Sequence, residues 1–302
     1  PGRGLASGIN HPARLTPPVR SFFCSSERRD RLSQLLSPAD HKNQGGAFTL
    51  SELKALQRDV QSPAALRLRD ALLTWLSRPA SESPAPVFEA LRGFDGQYRA
   101  DSRGALALQL CAHALATRYY AERYGADLAQ WILASEHAID FLVADLTDPA
   151  EAAALARQRA AVIDDVQQKL SATANWGEMH RVVLQHPLGN LPLLGGAYRF
   201  ADFAVDGSAT TLFKTAHPLR GKRHSASYGA NARHISLTGD PDANYFVLLG
   251  GQDGHLGSPG LHDQVPLWRA GEYIQVPLRL SGVRTAFPFV TNLAPTETPS
   301  PQ

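Results

Sequence analysis

Cysteine is scarce in this chain: Cys24 and Cys111 are the only two. Two thiols so far apart supply neither a disulfide framework nor a paired-cysteine metal motif, so buried free thiols are expected, with a single bridge as the alternative in an oxidising compartment. Methionine is scarcer, with Met179 alone, and no secretory signal peptide is recognisable. The chain begins Pro1-Gly2-Arg3, which points to processing or fragmentation having removed what came before. No apolar run approaches the roughly eighteen residues of a membrane span. An excess of either charge is also lacking: 30 Lys and Arg stand against 28 Asp and Glu, a formal net charge of +2. A nucleic-acid binder needs a concentrated basic face, and the one candidate, Arg220-Gly221-Lys222-Arg223-His224, reads as a solvated loop. No internal repeat occurs at solenoid periods.

What is present is enough for a sizeable core, since 302 residues with 43% hydrophobic content can bury one or two domains. Residues 1–20 read as an extended segment, because Pro12, Pro17 and Pro18 prevent a helix and Gly2, Gly4 and Gly8 loosen the entry. Residues 21–174 read as mainly helical. Thr49-Leu50-Ser51-Glu52 is a capping box, and Ser62-Pro63 is a second helix start with proline in the first turn. Leu68, Leu72, Trp75 and Leu76 give that second helix an apolar stripe. The Ser- and Pro-rich run Arg78 to Pro86 reads as a surface loop. Asp101 or Ser102 caps a helix to about Arg123. A further helix is expected over 126–146. Asp148-Pro149-Ala150-Glu151 opens a long amphipathic one with Leu155, Val162, Val166 and Leu170 on one side. Asp164-Asp165 point about a hundred degrees apart on that helix and read as a solvated face rather than a catalytic carboxylate pair.

Beyond Leu170 the helical period is lost, and residues 175–292 read as β-rich, with 293–302 a disordered tail. Strands are expected at Thr210 to Phe213 and from Ala226 onward. Ala232 to Thr238 alternates polar His234, Ser236 and Thr238 with Ile235 and Leu237, the pattern of a half-buried strand. Gly239-Asp240-Pro241-Asp242 is turn chemistry. Tyr245 to Leu249 is a wholly apolar run, expected to be covered on both faces. The loop Gly250-Gly251-Gln252-Asp253-Gly254 then lets the backbone pass close to a neighbour. His180 and His186 invite a metal pairing, but a separation of six suits neither one helical face nor a zinc finger, so both read as structural. The fold class is α+β, a helical first half followed by a β-rich second half.

Several of these stretches, taken in order, resemble the penicillin acylase family, which includes the acyl-homoserine-lactone acylases. The family's G-x-S-x-R strand entry corresponds to Gly229-Ala230-Asn231-Ala232-Arg233, and its G-G-Q-S-G loop to Gly250 to Gly254 with Asp253 in place of Ser. Ser258-Pro259, Asp263-Gln264 and Trp268 continue the match, with Leu261-His262 where the family has Tyr. Further matches are the helix TLSELKALQRDVQSPAA, the step Phe94-Asp95-Gly96 to Asp101-Ser102 with Phe94 for Trp, and Trp176-Gly177 to His180 followed by His186-Pro187-Leu188. Near the front, Asn10 before His11-Pro12 and the helix entry Glu27 to Leu36 resemble the family's oxyanion-hole segment. The resemblance implies Asn10 as oxyanion donor and Arg28 as the residue orienting it, with Arg29 or Arg31 taking that place if the helix starts later. His11 has no counterpart role and reads as a loop residue.

The implied fold is part of an αββα N-terminal-nucleophile hydrolase sandwich, and the chain as a whole one incomplete acylase domain from the C-terminal part of the large subunit. The implied activity is hydrolysis of linear amides, N-acyl-homoserine lactones or β-lactam side chains, by an N-terminal Ser of a processed precursor lying upstream of this chain. Its partners would be the small N-acyl substrate, the small subunit and the front of the large subunit, in the periplasm or outside the cell. The chain alone is expected to be inactive. The alternatives are a non-catalytic binding or structural relative, and an amidase for another linear amide. No cofactor is required for the chemistry. The family's structural calcium takes an acidic ligand between Asn and Arg, and residues 11–26 contain no Asp or Glu, so no metal residue is assigned.

Overall fold

The computed structural model describes residues 26–37, 48–77, 85–193 and 195–293. Asn10, His11, Cys24, the extended front segment and nearly all of the C-terminal tail lie outside the described residues. The chain forms two compact units, one up to Ala230 and one from Asn231 onward. Both helices and strands are present, and the class is α+β as the sequence indicates.

The first unit is built on helices α1 (Glu27–Leu35), α2 (Leu50–Gln57), α3 (Pro63–Leu76), α4 (Ala85–Arg92), α5 (Arg103–Tyr124), α6 (Ala126–Ala134), α7 (Ala138–Thr147), α8 (Ala152–Ala172) and α9 (Trp176–Met179). Its centre is α5. Every residue from Ala105 to Ala112 is buried, so this helix has no solvent face over two turns and must be wrapped by others. Helices α4, α6 and α8 do the wrapping. On α8 the expected stripe is the buried one, Leu155, Val162, Val166 and Leu170. The buried indole of this core finds a partner: Trp75 Nε1 donates to Leu155 O at 3.2 Å. Arg103, at the start of α5, donates to Leu170 O at 3.0 Å and Ala174 O at 3.1 Å. A cation thereby satisfies carbonyls at the negative end of α8.

The helix starts follow the sequence signals closely. Thr49 Oγ1 accepts from Glu52 N at 3.2 Å while Glu52 Oε2 accepts from Thr49 N at 2.8 Å. Ser62 caps α3 and Ser102 caps α5 through their hydroxyls. Three helical expectations need correction. The single helix over 126–146 is two, because Ser135 is extended and its Oγ accepts from His137 N at 3.1 Å, a local turn that competes with continuing the helix. Asp148 caps a 3-10 turn at Pro149–Glu151 rather than α8 directly. Glu151 N donates to Asp148 O at 3.1 Å, but the Glu151 carboxylate accepts from Tyr119 Oη at 2.7 Å and pairs with Arg123. Helix α4 begins at Ala85, inside the run read as a loop.

After α9 the chain turns to strands β1 (His180–Gln185), β2 (Arg199–Ala204), β3 (Thr215–Ala216), β4 (His224–Ser225) and β5 (Tyr228–Gly229). β1 is central in the order β2-β1-β4, antiparallel to β2 and parallel to β4, and β3 pairs antiparallel with β5. Thr210 to Phe213 is not a strand. The Thr211 hydroxyl bonds Ser208 N, Ser208 O and Phe213 O within 3.1 Å, which folds the segment into a turn.

The second unit carries β6 (Ala232–Ser236), β7 (Asn244–Leu248), helix α10 (Val265–Ala270), β8 (Ile274–Gln275) and helix α11 (Leu280–Ala286). β6 and β7 form the expected hairpin, in register from Ala232↔Leu248 to Ser236↔Asn244. Ile235 faces inward as the alternation requires. β7 is less enclosed than its apolar run suggests: only Asn244 and Val247 are buried. The close approach expected of the glycine loop is present, since a Cβ on Gly251 would lie 2.0 Å from Gly260 O.

Cys111 is buried and unpaired on α5, and burial pushes its thiol up to about 12. A thiol that is neither exposed nor ionised is a poor nucleophile. Maleimide should therefore label Cys111 only in denaturant, as read by peptide mass mapping; labelling within minutes in native buffer would contradict this placement.

Candidate functional site

Helix α1 is held by side chains that divide the work. Buried Glu27 accepts from Arg67 of α3 at 2.5 Å. Arg31 makes a two-pronged bond to Asp59, at 3.0 Å and 2.6 Å. Arg29 lies against its neighbour Asp30, 3.0 Å from Nε to Oδ1. Arg28 points elsewhere: it is exposed, and its guanidinium donates to Thr211 O at 3.0 Å and Leu212 O at 3.5 Å. Of the three arginines weighed from sequence, Arg28 is thus the one that reaches the 208–213 turn.

That turn is rigid for local reasons. Besides the Thr211 bonds, Thr210 Oγ1 lies 2.7 Å from Ser62 Oγ, tying the turn to the cap of α3. Gly207, which precedes it, has φ of 92°, and a Cβ there would lie 2.3 Å from Phe213 O, so only glycine fits. Ser208 and Thr210 then form part of the wall of a cleft of about 230 Å³. The α6–α7 connection, Ala216 to Leu219, and Ser227 and Tyr228 complete it.

Behind this cleft lies a cluster that the sequence reading did not assemble. His180, His217 and His224 present one nitrogen each within 4.8 Å of one another. His180 is fully buried and the other two half-buried. The parallel pairing of β1 and β4 puts His180 beside His224, and His217 follows β3. Buried Trp176 closes one side, with ring centroids 4.7 Å from His180 and 5.2 Å from His217. Burial, with the neighbouring imidazoles, holds His180 well below the usual histidine range; burial lowers His217 to about 3 and lowers His224 as well. All three are therefore neutral near pH 7.

His186 does not pair with His180, as the separation of six indicates; it is exposed and its Nδ1 accepts from Leu188 N at 3.2 Å. One reading needs correction. The basic run 220–224 is not wholly a solvated loop, because its last residue turns inward. Spacings of 37 and 7 residues match no metal motif, so only tertiary structure brings the three rings together. Asn10 lies outside the described residues.

A family model described as penicillin amidase matches residues 1–285. No curated protein matches the chain.

Proposed function

Because the chain belongs to the penicillin amidase family, whose members hydrolyse amides of acyl compounds, we propose that it supplies the oxyanion side of an N-terminal-nucleophile amidase. The substrate class is N-acyl compounds such as N-acyl-homoserine lactones or β-lactam side-chain amides. The nucleophile is an N-terminal Ser freed by precursor cleavage, on polypeptide preceding this chain, with its own α-amino group as base. Attack on the amide carbonyl gives a tetrahedral oxyanion, and the Asn10 side-chain N–H donates to it. An amide donor carries no net charge, so it favours the developing oxyanion more than the ground-state carbonyl. Collapse expels the amine and leaves an acyl-enzyme that water hydrolyses.

The observation that supports this reading is Arg28. Its anchor on Thr211 O and Leu212 O fixes a cation at the start of α1 without consuming it in an ion pair with a described carboxylate. Such a group can orient the carbonyl of Asn10 and the polar end of a substrate. No cofactor enters these steps. A calcium ion needs several oxygen ligands, and residues 11–26 offer no carboxylate, so no step passes through one. Its precursor processing implies a periplasmic or extracellular setting.

The test compares chromogenic acyl amides on the 302-residue chain alone and on the protein produced with its upstream reading frame. Turnover is expected only from the latter. Turnover above buffer by the chain alone would overturn the assignment of the nucleophile.

A further inference from the structure

The hydrogen bonds around the three histidines specify their protons. His224 Nδ1 lies 2.9 Å from Lys222 O, and His217 Nδ1 lies 2.9 Å from Pro218 O. A carbonyl only accepts, so both Nδ1 atoms carry the proton, and both Nε2 atoms are bare. For His180, Thr215 is decisive. The Thr215 hydroxyl donates its single proton to Asp206 O at 2.9 Å, so at 3.0 Å it must accept from His180 Nε2. That leaves His180 Nδ1 bare as well, and it faces the bare Nε2 of His224 at 3.0 Å.

Two lone pairs in contact repel unless a cation lies between or beside them. A proton shared by two rings would leave the third nitrogen out, whereas one metal ion can serve all three nitrogens, which lie within 4.8 Å of one another. Every feature that distinguishes ligating histidines is already in place: a bare nitrogen turned inward on each ring, and the opposite N–H fixed by a carbonyl or hydroxyl. We propose that His180 Nδ1, His217 Nε2 and His224 Nε2 form a three-histidine site for a borderline divalent transition ion, zinc above all.

Ligand chemistry selects the ion class. Three neutral imidazoles suit zinc, copper or nickel, whereas calcium and magnesium require oxygen donors that are absent from this set. Zinc–nitrogen bonds of about 2.0–2.1 Å in a tetrahedron put the nitrogens roughly 3.3 Å apart. The 3.0 Å between His180 and His224 is close to that value. The remaining separations, up to 4.8 Å, ask for a shift of the half-buried His217 ring by roughly an ångström or more. Ser208 Oγ, 3.4 Å from His217 Nε2, releases that nitrogen at small cost because the bond is long. Since His217 also lines the cleft, the fourth coordination position is left to water or a ligand entering there. Nothing in the proposed amide hydrolysis uses these residues, so the two readings stand or fall separately.

The full protein, produced without an affinity tag, is stripped with chelator, dialysed and titrated with Zn²⁺ against a chromophoric competitor. One equivalent per chain is expected, with Ca²⁺ failing to compete. His217→Gln and His224→Gln should each weaken binding at least tenfold, while His186→Gln, an exposed histidine outside the cluster, should leave it unchanged. Near-ultraviolet circular dichroism of each variant establishes that it is folded. If either cluster variant unfolds, the Co²⁺ form of the unmutated protein decides instead, intense visible bands being the mark of a four-coordinate site. No stoichiometric binding, weak octahedral Co²⁺ bands, or full affinity in folded cluster variants would overturn the site.

Discussion

Trp176→Ala is expected to destabilise the first unit by about 3–5 kcal/mol, the range for removing a buried large aromatic side chain. Trp176 is fully buried. It lies where three parts of the chain meet. Its backbone N donates to Ser102 O at 3.1 Å, the next residue's N to Ala100 O at 2.6 Å, and its indole N–H to Gly207 O at 3.1 Å. Its ring contacts Tyr98 at 5.3 Å and stacks on His180. Alanine would leave a cavity under the histidines and an unpaired carbonyl at Gly207, the residue that admits the 208–213 turn. Trp176→Phe keeps most of the ring and loses the indole bond, so about 1–2 kcal/mol is expected from it. Equilibrium urea unfolding measures both. A loss below about 1 kcal/mol for the alanine variant would mean that the packing described is not the packing that matters.

The second large effect concerns the chemistry. Asn10→Ala is expected to lower kcat by roughly 10²–10³ with KM little changed, the signature of a donor used mainly in the transition state. The measurement uses protein carrying the proposed N-terminal nucleophile, with the amount of cleaved chain quantified so that failed cleavage is not mistaken for slow turnover. A kcat within about threefold of the unmutated protein would remove Asn10 from the oxyanion hole.

Where sequence signals are local, they were legible. Thr49, Ser62 and Ser102 cap helices because a hydroxyl three residues ahead of an N–H is a property of the chain itself. The stripe on α8 and the β6–β7 hairpin are equally local. The misses have two sources, short-range side-chain turns and partners distant in sequence. Glu151 was drawn away from its expected cap by Tyr119 and Arg123. Thr211 looked like a strand residue until Ser208 and Phe213 claimed its hydroxyl. The histidine cluster depends on β4 lying parallel to β1, a crossover that no spacing rule anticipates. Arg28 is singled out through resemblance alone, and the structure adds the two carbonyls that its side chain reaches.

The β1–β4 pairing consists of only two residue pairs, His180 with His224 and Arg181 with Ser225. Slipping by one position would bring Arg223 alongside buried His180, trading a neutral, half-buried ring for a guanidinium. The connection between residues 216 and 224 therefore has a fixed length: a single inserted residue there would be felt not as a longer loop but as a displaced charge.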